Sequence, residues 1–283
     1  MSRRAVRAIV LAGAFLGGPA TIAAQTPDTL HHAESSRPPS SYALDTLHVE
    51  VTRAPTPLRL LPMAASTVQQ QDIATARPGV GLDEVLGAVP GVFIANRENL
   101  ALGARVTLRG FGARSAFGVR GVRMVADGVP LTTADGQGSL NNLDLARAGR
   151  IEVLRGPASA LYGNAAGGVI RLLTAPPPSV TEANARLTLG DESRGPLGRL
   201  VRVDAGVAGP LGGGGYRVGV SQLSRDGVRE HSAAEQNALN AYITQPLGER
   251  SFMRVVLNAA DAPRALNPGS LPWDSLRSDP SMA

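Results

Sequence analysis

Apolar residues along this chain change their spacing several times, and each change predicts a different element. Ala8 to Leu16 form an apolar stretch behind Arg3, Arg4 and Arg7, with small residues at Ala23 and Ala24. That order predicts a cleavable export segment over residues 1–24, with a short buried helix as the alternative. No Cys follows the cleavage point, which excludes a lipid anchor there. Thr26 to Ser41 lacks periodicity and is rich in Pro, Ser and His, so residues 25–44 read as a linker. Asp45 to Arg53 then alternates apolar and polar with a period of two, until Pro55 and Pro57 stop it. A strand on a flexible arm offers both edges to a partner sheet; an edge strand of the next domain would show the same pattern.

Between Ser66 and Thr174 the pattern predicts a compact α/β region. Leu82, Val85, Leu86 and Val89 share one face of a short helix, which Pro90-Gly91 ends. Val92 to Ala95, Arg105 to Arg109, Val122 to Ala126, Ile151 to Leu154 and Val169 to Thr174 read as strands. Asp127-Gly128 is a tight-turn pair, Ala158 to Tyr162 a short helix, and Pro176-Pro177-Pro178 a boundary.

From Ala185 strict alternation takes over. Val201, Val203, Ala205 and Val207 alternate with Arg202, Asp204 and Gly206. Tyr216, Val218 and Val220, and then Met253, Val255 and Leu257, repeat the pattern, with a weaker run over Asn237 to Thr244. The connections repeat as well: Pro210-Leu211-Gly212 before Tyr216 recurs 36 residues on as Pro246-Leu247-Gly248 before Phe252. A longer polar loop, Ser224 to Gln236, lies between them. Short turns at one end, longer loops at the other and an aromatic at the strand starts fit a transmembrane β-barrel with an interfacial girdle. A soluble antiparallel sandwich would alternate too. The pattern gives about five strands and a closed barrel in lipid needs about eight, so the expectation is an incomplete barrel: a fragment, a truncated frame or an incomplete gene.

Composition narrows the field. No apolar run reaches the roughly 20 residues of a membrane helix. The 28 cationic residues are all Arg and are scattered through strands and turns, with three in the export segment, so the net charge of +5 does not point to nucleic acid. His31-His32 stands alone in the linker and predicts no metal site. The sequence shows no nucleophile–base pairing, metal-ligand spacing or cofactor fingerprint, so an enzyme is not expected. The glycine run Gly163 to Gly168 could cradle phosphate, but the Lys-Ser/Thr that a phosphate loop places next is missing.

Leu108-Arg109-Gly110, Asp127-Gly128-Val129-Pro130, Ile151-Glu152-Val153-Leu154-Arg155-Gly156-Pro157, Leu161-Tyr162-Gly163 and Gly167-Gly168-Val169-Ile170 together resemble the plug of TonB-dependent outer-membrane receptors, in order and in spacing. The match covers about residues 45–175. Arg109 to Arg123, with Asp135-Gly136-Gln137-Gly138, is similar to a subgroup for iron complexes or pyrroloquinoline quinone. The resemblance implies an α+β plug domain with a small mixed sheet over 58–176. Over 185–283 it implies the first strands of an antiparallel transmembrane β-barrel, incomplete here, from a whole of about 22 strands.

The resemblance also implies roles. Residues 45–53 resemble a TonB box, so Asp45, Thr46, Leu47, His48, Val49, Glu50, Val51 and Thr52 become the strand that TonB would bind. His48 and Glu50 depart from the apolar or small residues common there. Arg109 and Arg155 correspond to plug arginines that pair with barrel glutamates. Phe111 to Arg123 is Gly-punctuated and free of acidic residues, which suits an exposed binding loop. Arg114, Arg120 and Arg123 are its candidate ligands for an anionic solute; packing against the barrel wall is the alternative for each. The function implied is active import of a scarce solute, a ferric-siderophore-like chelate or other small anion, across the outer membrane. The expected partners are TonB, that solute and outer-membrane lipid, with no resident cofactor or metal. A plug-like periplasmic or surface binding module without transport is the alternative.

Overall fold

The computed structural model describes residues 48–50, 53–75, 82–95, 99–116, 118–138, 145–191 and 199–282. The expected export segment and linker lie outside them, as do Asp45 to Leu47, Val51 and Thr52. All described elements belong to the unit Asp45–Ala283.

The chain opens with a two-residue ladder in which β1 (His48–Val49) lies antiparallel to β2 (Thr56–Pro57). Then come β3 (Ala64–Gln69), α1 (Gln70–Thr75), α2 (Leu82–Leu86), β4 (Val92–Ala95), β5 (Arg105–Leu108), β6 (Val119–Arg120), β7 (Val122–Ala126), β8 (Val129–Pro130) and β9 (Gln137–Gly138). β10 (Ala148–Arg155), α3 (Ser159–Tyr162) and β11 (Gly168–Thr174) complete this region. Two sheets result, in the orders β3-β10-β11-β7-β8 and β4-β5-β6-β9. In the first, β10 pairs antiparallel with β3 and β11, while β11 pairs parallel with β7. The small mixed sheet is therefore present.

The period of two in β10 and β11 gives that sheet two unlike faces. Ile151, Val153, Ile170 and Leu172 point into the main core with Leu82, Val85 and Leu86 of α2, whose helical spacing buries one stripe. The opposite face carries Leu154 and Val169, opposite one another in the ladder, and the pair Glu152 and Arg171 one step along the same face. Asp127 closes the β7–β8 turn at φ 49, and its carboxylate accepts from the N–H and hydroxyl of Thr174 at 2.8 and 2.7 Å. One turn residue thus ties the parallel and antiparallel halves together.

β12 (Glu182–Asp191), β13 (Arg199–Leu211), β14 (Gly214–Arg225), β15 (Ala234–Pro246) and β16 (Phe252–Ala265) form one antiparallel sheet in chain order, and α4 (Trp273–Ser278) follows. Val203, Val207, Val220, Leu239, Val255 and Leu257 are exposed on one face. Arg202, Asp204 and Asn240 are buried on the other. Apolar-out and polar-in alternation over strands of 10–14 residues is that of a barrel wall crossing lipid. No described helix is long and apolar enough to cross a membrane, which says nothing of strands.

Of the expected strand Asp45 to Arg53, the described His48–Val49 is strand with one edge taken by β2, and Arg53 has φ 69. Two other sequence expectations change. The loop expected over Ser224 to Gln236 contracts to residues 226–233, because the polar flanks Ser224, Arg225 and Glu235 belong to the ladder. Phe252 shares the lumenal face with Tyr242 and Arg254, whose guanidinium lies 5.4 and 5.8 Å from the two ring centres. Only Tyr216 of the two strand-start aromatics therefore stands on the outer face.

Candidate functional site

The segment at the front of the chain covers the second face of the plug sheet. Val49 is fully buried against Leu154 and Val169, with Ala158 and Ala165 beside them. Its neighbour Glu50 lands on the charged pair. The Glu50 N–H donates to both carboxylate oxygens of Glu152 at 3.2 and 3.1 Å, and the Glu50 carboxylate accepts from Arg171 Nη2 at 2.9 Å. Glu152 is fully buried; Arg150 Nη2 reaches it at 2.9 Å and Arg171 Nη1 at 3.6 Å. A buried carboxylate must be paired in this way, because desolvating it alone costs several kcal/mol. Arg53 then stacks on Tyr162, 4.8 Å from the ring centre. Burial pushes the Tyr162 phenol above its ordinary range, with the charges of Arg171 and Arg53 opposing.

A cleft of about 340 Å³ opens among β6, β9 and the turn before β6. Arg114, Ser115, Ala116, Arg120 and Gln137 line it. Glycines shape this turn: at Gly112, with φ 87, a Cβ would sit 2.3 Å from Val106 O. Arg105 Nη1 holds Ser115 O at 3.2 Å, so the rim sits at the start of β5. The loop entering β5 carries Asn99, which bonds to Asn267 beyond β16 at 2.9 Å, so this is the end of the plug facing the longer connections. Asp135, held below the usual carboxylate range first by the Thr133 hydroxyl and then by the Gln137 N–H, keeps the neighbouring turn folded.

The candidate residues fall into three groups. Arg114 and Arg120 meet at the cleft. Arg123 does not; it lies on β7 and donates to Thr132 O at 3.1 Å, fixing the loop before β9. Arg155 donates within the plug, to Pro90 O, Ala65 O and Ser66 Oγ, and Arg109 stands exposed at φ 50 with its N–H on Gly91 O. Plug–wall bonds among the described residues come from residues the sequence did not single out. Arg147 donates to Ala205 O on β13 at 2.8 Å, and Arg217 of β14 donates to Ala175 O and Pro176 O at 3.1 and 3.0 Å.

A mixed-sheet domain whose Arg147 meets the polar face of five antiparallel strands is the arrangement of a plug against part of a barrel wall. Residues 57–169 match the family model of the TonB-dependent Receptor Plug Domain. The vitamin B12 transporter BtuB of Vibrio vulnificus is 30% identical over 151 residues, covering 53% of this chain and 24% of that protein. The ferric enterobactin receptor of Pseudomonas aeruginosa is 30% identical over 163 residues, 52% of this chain and 21% of its own. Among solved structures, the ferric citrate transporter FecA in its unliganded form superposes with a TM-score of 0.66 at 22% identity, over 80% of this chain and 35% of that one. The siderophore receptor PirA of Pseudomonas aeruginosa gives 0.56 at 24%, over 71% and 34%. The chain thus spans a quarter or less of these curated relatives and about a third of these solved chains. The likeness to the plug-domain model is confined to residues 57–169, and the five-stranded sheet after them shares the fold of the partial barrels of those solved chains. The relatives named are transporters and receptors rather than enzymes.

Proposed function

We propose that the full-length protein imports a small anionic solute across the outer membrane with work supplied through TonB. The observation that carries this reading is a plug domain seated against wall strands, with a short N-terminal strand docked on it and an arginine-lined cleft at its other end. The outer membrane has no ATP, so work has to arrive mechanically; strand addition to residues 45–52 supplies a backbone-bonded handle. Residues 1–24 are the export segment in this reading, and Arg109 and Arg155 are the plug arginines that barrel glutamates would pair, Arg155 in addition to its bonds within the plug.

Arg114 and Arg120 can each present a planar pair of donors to a carboxylate. Ferric citrate-like chelates and pyrroloquinoline quinone, a tricarboxylate, both fit that chemistry. Arg114→Gln and Arg120→Gln should each lower affinity roughly tenfold to a hundredfold, the loss of about 1.5–3 kcal/mol for a charge-assisted bond. Binding measured over a panel of anionic and neutral solutes checks this, and normal binding of the cognate solute by both folded variants overturns it.

The handle has its own test. Proline lacks the N–H and disfavours strand pairing, so Val49→Pro should abolish energised uptake while surface binding persists. Equal losses of binding and uptake would make residues 45–52 a part of the plug fold and nothing more.

A further inference from the structure

The Glu50 backbone and side chain each bind a different member of the buried Glu152–Arg171 pair. We propose that Glu50 is a latch that keeps the handle folded on the plug until it is drawn off. This rests on the reading of residues 45–52 as the handle.

The latch has three components on one sheet face. Val49 fills the apolar step over Leu154 and Val169. The Glu50 N–H caps Glu152, and the Glu50 carboxylate binds Arg171, the residue facing Glu152 across the β10–β11 ladder. The docked cluster holds two glutamates and two arginines and is neutral. When Glu50 leaves, Glu152 keeps Arg150 and Arg171, so the buried carboxylate stays paired and the sheet beneath survives undocking. A small or apolar residue at position 50 would retain the backbone bonds but lose the hold on Arg171.

The latch is built to be weak. The Glu50 side chain is 44% exposed and that of Arg171 13%, so water competes for the carboxylate. Half-exposed ion pairs contribute little each. A handle held this way is protected from chance pairing, yet yields to a partner that supplies a full strand edge. Val49 and Glu50 are released together, because they sit on successive steps of the same two strands.

The chain contains no cysteine, so a single introduced thiol reports cleanly. Val49→Cys in the full-length protein, in outer-membrane vesicles with neither solute nor TonB added, should react slowly with a water-soluble thiol reagent. Adding Glu50→Gln should raise that rate about two- to fivefold. Arg171→Gln should raise it at least as much, because it also loses its contact to Glu152, and Glu50→Gln added to Arg171→Gln should raise the rate little further, since the two share one bond. Val153→Cys on the opposite face, equally buried, should stay protected in every background. An unchanged Val49→Cys rate with Glu50→Gln overturns the latch, and so does a parallel rise at Val153→Cys, which would mean general loosening. Because no uptake is measured, failure of the handle reading would appear separately, as Val49→Pro transporting normally.

Discussion

Glu152→Ala should open the plug sheet locally, at a loss of about 1–3 kcal/mol, because it removes the acceptor shared by the Glu50 N–H and two half-buried arginines, of which Arg171 keeps only Glu50 among these contacts. Arg150 and Arg171 both lean on this carboxylate, and the Glu50 N–H donates to it as well. Glu152 stands on β10, the strand hydrogen-bonded to both β3 and β11, so the disturbance enters the middle of the sheet. Global denaturation would report mainly on the barrel. The informative measurement is hydrogen exchange of the β10 and β11 amides in the full-length protein. Those amides should lose protection while the β13–β14 amides keep theirs. Glu152→Gln, which keeps an acceptor, should have a smaller effect. Unchanged protection in Glu152→Ala would show that the charge cluster contributes nothing to the sheet.

Elements whose periodicity faces a uniform environment were legible in the sequence. β5, β7, β10, β11 and the wall strands alternate because one side meets core or lumen throughout, and α2 shows its stripe for the same reason. β3 was not legible. Ala64-Ala65-Ser66-Thr67-Val68-Gln69 has one large apolar residue, and its strand state comes from the ladder to β10, more than eighty residues away in the chain. Phe111 to Arg123 read as a single loop, but β6 within it pairs with β5 and β9, which sends Arg120 to the cleft, while Arg123 already stands on β7. The strand-end logic that selected Arg109 and Arg155 is local, and the structure shows Arg155 bonded inside the plug. The plug–wall bonds were missed because they join distant parts of the chain: Arg147 and Ala205 lie 58 residues apart. A signal was present. Gly206 and Gly219 sit in mid-strand at lumen-facing positions, where a glycine weakens a strand and marks close approach of another group.

That close approach leads to the second large effect. Gly219→Ala should release the hold that Arg147 gives the plug on this part of the wall. Gly206 and Gly219 face each other across β13 and β14, leaving a slot over the ladder, and the Arg147 guanidinium lies in it. A Cβ on Gly219 would stand 1.2 Å from Arg147 Nη2 and 1.5 Å from Cζ, so the guanidinium has to leave. At Gly206 the same atom would stand 3.1 Å from Nη2, a contact that a small shift relieves. Expulsion breaks the 2.8 Å bond to Ala205 O, worth about 1.5–3 kcal/mol for a charged donor, or roughly a tenfold to hundredfold rise in the displaced population. The position matters for the whole plug. Arg147 immediately precedes β10, and its carbonyl accepts from Ala175 N just after β11, while Arg217 grips Ala175 O and Pro176 O. The start of β10 and the end of β11, neighbours at one end of the ladder, are therefore held to the wall at one point, the fixed side against which a pull on the handle would act. Ion conductance through the full-length receptor in a planar bilayer reads the displacement. Gly219→Ala should raise it well above Gly206→Ala, and in an Arg147→Ala background the same change should add little, because the clashing group is gone. Equal increments in both backgrounds would show that Gly219 acts on the strand alone and that Arg147 is no anchor.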